Sequence, residues 1–166
     1  MAAEATVQEL FDLRGRTALV TGATGHLGQS LARALAESGA NVIVTSRDES
    51  RARALADILP VVGTARHFGL ELEQLLHDTL HERFASALSC HGSIDVLINN
   101  AHAASASDLT NCTPDEFARQ LANATSYFVL ARSLRNHAAA VRNCTGHNGG
   151  RVAPNPMPLV RIVAMA

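Results

Sequence analysis

The chain has 166 residues, enough for one compact domain that buries roughly 70% of its unfolded surface but short for two independent cores. Hydrophobic residues make up 47% and charged residues 17%, and 14 basic against 15 acidic side chains leave a formal charge of -1. These values exclude intrinsic disorder and a positive field that would gather nucleic acid or an anionic membrane. All 14 basic residues are arginine, so within this sequence any chemistry that needs a lysine amine is excluded, including Schiff bases and P-loop phosphate contacts.

After a polar lead-in, Thr17 to Val20 (T-A-L-V) reads as a buried strand ending at the glycine-rich stretch that begins with Thr21-Gly22. Leu27, Leu31 and Leu35 recur every four positions from His26 to Ser38, and Gly39 stands at a C-cap position, which predicts an amphipathic helix. Asn41 to Ser46 is a second β-rich run, and a helix is expected over Glu49 to Leu59, closed by Pro60. A weaker third strand is predicted over Thr64 to Phe68, then a helix with Leu72, Leu76, Leu80, Phe84 and Leu88 on one face, stopping near Gly92. Ile94 to Ile98 supplies a fourth strand. Thr113-Pro114-Asp115-Glu116 combines an N-cap, a proline at the first helical position and a glutamate three residues after the cap, opening a helix to about Asn136. Arg142 to Pro158 reads as a long loop before a fifth strand at Leu159 to Ala164.

Strands alternating with helices predict an α/β fold, a doubly wound parallel sheet of about five strands with ligands at the carboxyl ends of the strands. The whole of 1–166 is expected to form a single Rossmann-like domain. Three cysteines, Cys90, Cys112 and Cys144, without a C-x-x-C pair fit reduced thiols. No signal peptide or apolar span of 18 residues is present in the sequence, so a cytoplasmic location and no membrane partner are expected, and three N-x-S/T matches are read as chance. His77 and His81 lie four apart with Glu73 a turn before them, but the H-E-x-x-H pattern is lacking and no metal is expected.

Thr21-Gly22-Ala23-Thr24-Gly25-His26-Leu27-Gly28 falls between the first strand and the first long helix, where a dinucleotide's pyrophosphate meets backbone N–H groups and the helix dipole. Gly22 permits a tight turn, Gly25 a close approach of phosphate, and Gly28 close packing of helix on sheet. The order T-G-A-T-G-H-L-G, then V-I-V-T-S-R, then L-I-N-N-A and N-A-T-S-Y-F resembles the short-chain dehydrogenase/reductase family of nicotinamide-dependent oxidoreductases, from about Phe11 to Ala166. The resemblance implies hydride transfer between NAD(P)(H) and a small carbonyl or alcohol substrate.

It also implies a site. Gly22, Thr24, Gly25, His26, Leu27 and Gly28 would face the pyrophosphate, Glu71 and Leu72 the adenine, and Asn100 and Ala101 the nucleoside side. His26 stands where most members carry a glycine, and the usual N-N-A-G reads N-N-A-H at Asn99 to His102. At the end of the second strand a carboxylate would accept hydrogen bonds from the ribose hydroxyls of NAD. Ser46 and Arg47 stand there instead, suited to a 2′-phosphate, so NADP is the expected cofactor, with NAD left possible by Asp48.

In the family a tyrosine acts as general acid/base, a lysine four residues later lowers its pKa, a serine positions the carbonyl and an asparagine supports a relay water. Asn123 matches the asparagine and is the one remnant of that set. The only tyrosine, Tyr127, is followed four positions later by Ala131 and reads as an aromatic packing or interface residue. The sequence is therefore expected to be a truncated, cofactor-binding portion with impaired catalysis. The alternatives are a non-catalytic interaction module, self-associating or pairing with a full-length relative through the Pro114 helix and an open fifth-strand edge, and a gene fragment without function.

Overall fold

The computed structural model describes residues 6–103, 110–145 and 161–164. In chain order the elements are α1 (Val7–Leu10), β1 (Thr17–Val20), α2 (His26–Glu37), β2 (Asn41–Ser46), α3 (Glu49–Ile58), β3 (His67–Glu71), α4 (His77–His91), β4 (Val96–Asn99), α5 (Pro114–Thr145) and β5 (Arg161–Ala164). The five strands form one sheet in the order β3-β2-β1-β4-β5, every pair parallel.

Alternation along β1 explains the layering. Ala18 and Val20 pack with Ala32 and Ala36 of α2 and Ala52 and Leu55 of α3 on one face. Leu19 and Ile43 point the other way, against Leu80 and Phe84 of α4 and Leu130 and Leu134 of α5. Side chains of a strand alternate between faces, and a sheet buried on both sides reads as a continuous apolar run. That is why T-A-L-V is entirely buried. Phe84 is 2% exposed and anchors the second layer; burial of such a side chain stabilises by about 2–3 kcal/mol.

The chain travels outward from β1 to β3 and then returns to place β4 on the other side of β1. This reversal opens a crevice at the carboxyl ends of β1 and β4, the place where doubly wound sheets hold ligands. The register sets its floor, with Val20 opposite both Val44 and Ile98.

Several boundaries differ from the sequence reading. The third strand begins at His67 and runs through Gly69 to Glu71, because Gly63 takes φ 63 in a turn where Thr64 was expected to begin the strand. Gly69, which weakens a strand pattern in isolation, is required by packing: a Cβ there would lie 2.2 Å from the Arg53 amide nitrogen of α3. Leu72 and Leu76 precede α4 rather than sharing its face; Leu72 is buried beside β3 and Leu76 is exposed. The fourth strand starts two residues later than expected, since the Asp95 carboxylate turns inward to accept a hydrogen bond from Thr17 N at 3.0 Å.

In α2 the buried positions are Gly28, Ala32 and Ala36, with Leu31 and Leu35 flanking the core and Leu27 exposed. Small residues bring the helix axis closer to the sheet than leucines would. Helix α5 extends to Thr145 instead of stopping near Asn136, because His137-Ala-Ala-Ala-Val141 contains three of the best helix formers and no breaker. Arg142 to Thr145 are thus helical; the rest of the expected loop, residues 146–158, lies outside the described residues, as do residues 159–160 of the fifth strand. Among the described residues no helix is long and apolar enough to cross a membrane.

Candidate functional site

The carboxyl ends of the strands border a groove of about 960 Å³ lined by the β1–α2 turn, the start of α3, the segment after β3 and the segment after β4. The glycine turn forms one wall. Gly22 has φ 60, and a Cβ there would sit 2.7 Å from Ala101 Cα, so only glycine lets the turn and the end of β4 approach this closely. At Gly28 a Cβ would meet Gly22 O at 2.4 Å and Ala23 Cα at 2.7 Å. Gly25 is the N-cap of α2 and supplies no side-chain bond to the helix. The first intrahelical donor is Gln29 N, bonded to Gly25 O at 2.9 Å, which leaves the amides of His26, Leu27 and Gly28 open at the positive end of the helix.

Buried Thr21 fastens this turn to β4. Its hydroxyl oxygen accepts from Asn100 N at 2.9 Å and Ala101 N at 3.0 Å, while Asn100 Nδ2 donates to Thr21 O at 3.0 Å and Gly22 O at 3.1 Å. Asn100 therefore holds the two walls together with both its main chain and its side chain.

At the far end of the groove, buried Ser46 closes β2. Its Oγ accepts from Thr24 Oγ1 at 3.1 Å and from Asp48 N at 3.3 Å, so its own proton is left to donate. Asp48 N-caps α3: Oδ1 accepts from Ser50 Oγ at 2.6 Å and Arg51 N at 3.2 Å. The Ser50 hydroxyl first, and the Arg51 amide second, hold the Asp48 carboxyl below the usual carboxylate range. Arg47 and Arg51 both line the groove, and among the described residues neither is in an ion pair. This end combines a hydroxyl donor with two guanidinium groups.

Of the residues singled out in the sequence, Gly22, Thr24, Gly25, His26, Leu27, Gly28, Ser46, Arg47, Leu72, Asn100 and Ala101 line this one groove. Glu71 does not. Its carboxylate pairs with Arg83 of α4, Nη2 to Oε2 at 3.3 Å. The groove also takes in His102, and with it Arg51, Glu73, Gln74, Leu75 and Ala103, five residues that sequence reasoning did not assign to it. Only the approach of the β3–α4 segment to the end of β4 puts Gln74 and Ala103 there, and no local pattern announces it.

Asn123 lies behind the groove, 3% exposed. Its Oδ1 accepts from Ala103 N at 3.0 Å and Gln74 Nε2 at 3.4 Å, and its Nδ2 donates to Ala103 O at 3.3 Å and Gln120 Oε1 at 3.4 Å. The side chain is a clamp on the segment after β4. Tyr127, one turn further along α5, reaches the same segment through Ala101 O. His77 Nε2 lies 3.1 Å from Ala122 O and 3.0 Å from Ser126 Oγ on α5, while His81 is exposed, so the two imidazoles serve different surroundings. Cys112 is a free, half-buried thiol.

The model of the short chain dehydrogenase family matches residues 16–152. A 3-oxoacyl-(acyl-carrier-protein) reductase from Aquifex aeolicus is 33% identical over 89 residues, covering 54% of this chain and 36% of its own. The crystal structure of a short-chain type dehydrogenase/reductase from Mycobacterium marinum superposes with TM-score 0.72 at 28% identity, covering 82% of this chain and 54% of that one. A metagenomic short-chain oxidoreductase in complex with NADP gives TM-score 0.68 at 28% identity, over 79% of this chain and 60% of that one. The chain thus spans between about a third and three fifths of the length of these relatives. With its strand order, its glycine turn and a family match over most of its sequence in agreement, the chain belongs to the short chain dehydrogenase family.

Proposed function

We propose that residues 1–166 form a single cofactor-binding unit that takes NADP in preference to NAD, from an oxidoreductase lineage that transfers hydride between a nicotinamide and a small carbonyl or alcohol. The observation that carries the reading is the Ser46 end of the groove, lined by a hydroxyl with a proton to donate and by Arg47 and Arg51, neither in an ion pair among the described residues. Asp48, the nearest acid, is committed to capping α3. Such a set suits a 2′-phosphate better than a pair of ribose hydroxyls, which call for a carboxylate acceptor.

The remaining residues fit the rest of the cofactor. The open amides of His26 to Gly28 and the helix dipole would hold the pyrophosphate. Gly22 and Gly28 let the turn pack against Ala101 and Ala23, where a Cβ would clash. Asn100 and Ala101 would face the nucleoside, and Leu72 would line the adenine pocket, with Glu71 held aside by Arg83. The NADP complex of the metagenomic relative supports the same choice.

When bound, the nicotinamide supplies the hydride. The residues in this sequence would hold the dinucleotide, but they contain no lysine to lower a tyrosine pKa, and Tyr127 is engaged with Ala101. We accordingly assign these 166 residues a binding role with impaired turnover, in the cytoplasm and without a metal. The exposed apolar stripe Phe117, Leu121 and Phe128 on α5, with Arg132 5.3 Å over the Phe128 ring, favours association through that helix with a second copy or a longer relative.

Titrating the purified chain with NADPH and NADH, by calorimetry and by melting temperature, tests the reading, since a ligand that binds only the folded state raises its stability. NADPH is expected to bind at least about tenfold more tightly than NADH, and Ser46→Asp to remove the preference. Absence of binding to either dinucleotide would overturn it.

A further inference from the structure

His26 is the first residue of α2, is exposed and lines the groove. Its ring has no hydrogen-bond partner among the described residues, while its main-chain carbonyl is 3.5 Å from Ser30 Oγ. Along an α-helix every Cα–Cβ bond tilts toward the N-terminus, so the side chain of the first residue projects beyond the helix end rather than along it. The imidazole therefore overhangs the open amides of His26, Leu27 and Gly28. A glycine at this position contributes a main-chain N–H alone; a neutral imidazole adds one further N–H donor in either tautomer.

A second feature of the groove is a buried acceptor that the fold leaves over. Gln74, 6% exposed, lines it and, among the described residues, has no partner for Oε1. The orientation of that amide is fixed, because Asn123 Oδ1 is already committed to Ala103 N and must receive the Gln74 Nε2 donor. The other charged or titratable side chains on the groove are Arg47, Asp48 and Arg51 at the start of α3, Glu73 after β3 and His102 after β4. Asp48 is occupied by Ser50 and Arg51 N, and Glu73 Oε1 accepts from Leu75 N at 3.4 Å. No hydrogen bond ties either acid to the His26 ring.

We propose that His26 donates a hydrogen bond from its imidazole to the pyrophosphate of the bound dinucleotide, a side-chain grip at a turn otherwise made of backbone donors. The inference rests on the cofactor reading above and deepens it by assigning the pyrophosphate a specific side chain.

Two fragments of the cofactor separate this contact from the rest of the groove. ADP carries the pyrophosphate without a 2′-phosphate, and 2′-AMP carries the 2′-phosphate without a pyrophosphate. Both, with NADPH, are titrated into the wild-type chain, His26→Ala and His26→Asn, and melting curves confirm that each variant folds. His26→Ala is expected to weaken ADP and NADPH by about tenfold and to leave 2′-AMP unchanged, with His26→Asn intermediate because its amide still donates. ADP binding that is equal or tighter in His26→Ala would overturn the proposal, since the ring would then merely occupy space beside the phosphates. Failure of the wild-type chain to bind any of the three would overturn the cofactor reading itself, and this inference with it.

Discussion

The hydroxyl of Tyr127 donates to the carbonyl of Ala101 over 2.8 Å, joining the middle of α5 to the end of β4 where the glycine turn also arrives. The same Ala101 receives Gly22 against its Cα and donates its amide to Thr21 Oγ1. One residue after β4 thus meets both α5 and the glycine turn at the groove. Tyr127→Phe removes the donor and leaves the ring. It is expected to lower stability by about 1 kcal/mol and to weaken NADPH several-fold through a loosened groove wall. Chemical denaturation and calorimetry on the same protein check both effects, and unchanged values would mean that the bond contributes nothing.

Glycine is required at position 28 for a different reason. The Cβ of Gly28→Ala would lie 2.4 Å from Gly22 O and 2.7 Å from Ala23 Cα, both main-chain atoms with no freedom to swing aside. The substitution forces α2 away from the sheet, and a loss of about 1–3 kcal/mol is expected, with dinucleotide binding abolished. Gly25→Ala is the control, since its nearest contact is 3.4 Å. A Gly28→Ala chain as stable as the Gly25→Ala chain would refute the packing argument.

Asp95 ties the amino ends of β1 and β4 together. Its carboxylate is 7% exposed as a residue and accepts from Thr17 N and from Arg16 Nη1, each at 3.0 Å. Asp95→Asn keeps an acceptor for the amide and removes the charge facing Arg16. A loss of about 1–2 kcal/mol is expected. Arg16→Gln is expected to cost less, because the arginine is 37% exposed and solvent screens its charge. Equal losses from the two variants would place the energy in the ion pair rather than in the buried acceptor.

The Asp48 cap carries a pH signature. The Ser50 hydroxyl and the Arg51 amide both donate to the ionised carboxyl and lower its pKa below the usual 3.8. A carboxyl with a depressed folded-state pKa stabilises the fold above its unfolded pKa, and that contribution is lost as pH falls through the folded one. The start of α3 is therefore expected to be intact at neutral pH and to loosen only below the ordinary carboxylate range. Amide exchange at Arg51 across an acid titration reports it directly, and Asp48→Asn, which caps without a charge, is expected to flatten the profile. An identical acid response in both chains would remove Asp48 as its cause.

The sequence by itself determined the α/β alternation, β1 and β2 to the residue, and the glycine turn between β1 and α2. Those features depend on local rules: strands buried on both faces read as apolar runs, and a strand-to-helix turn with glycines at fixed offsets is legible wherever it occurs. The capping box at Thr113 was equally plain, and Glu116 Oε2 does receive Thr113 N at 2.8 Å while Glu116 N donates back to Thr113 Oγ1 at 3.2 Å. Tertiary structure decided the rest. It fixed how closely β3 packs on α3, because Gly69 is demanded by the backbone of α3 and by nothing in its own neighbourhood. It chose small residues over leucines as the buried face of α2, since the distance between helix and sheet is set by the close approach of Gly28 to Gly22. It turned Glu71 toward Arg83 and brought Arg51, Gln74 and Ala103 into the groove. Each of these depends on a surface supplied by a distant segment, and a periodicity read along one segment carries no information about what that segment will meet.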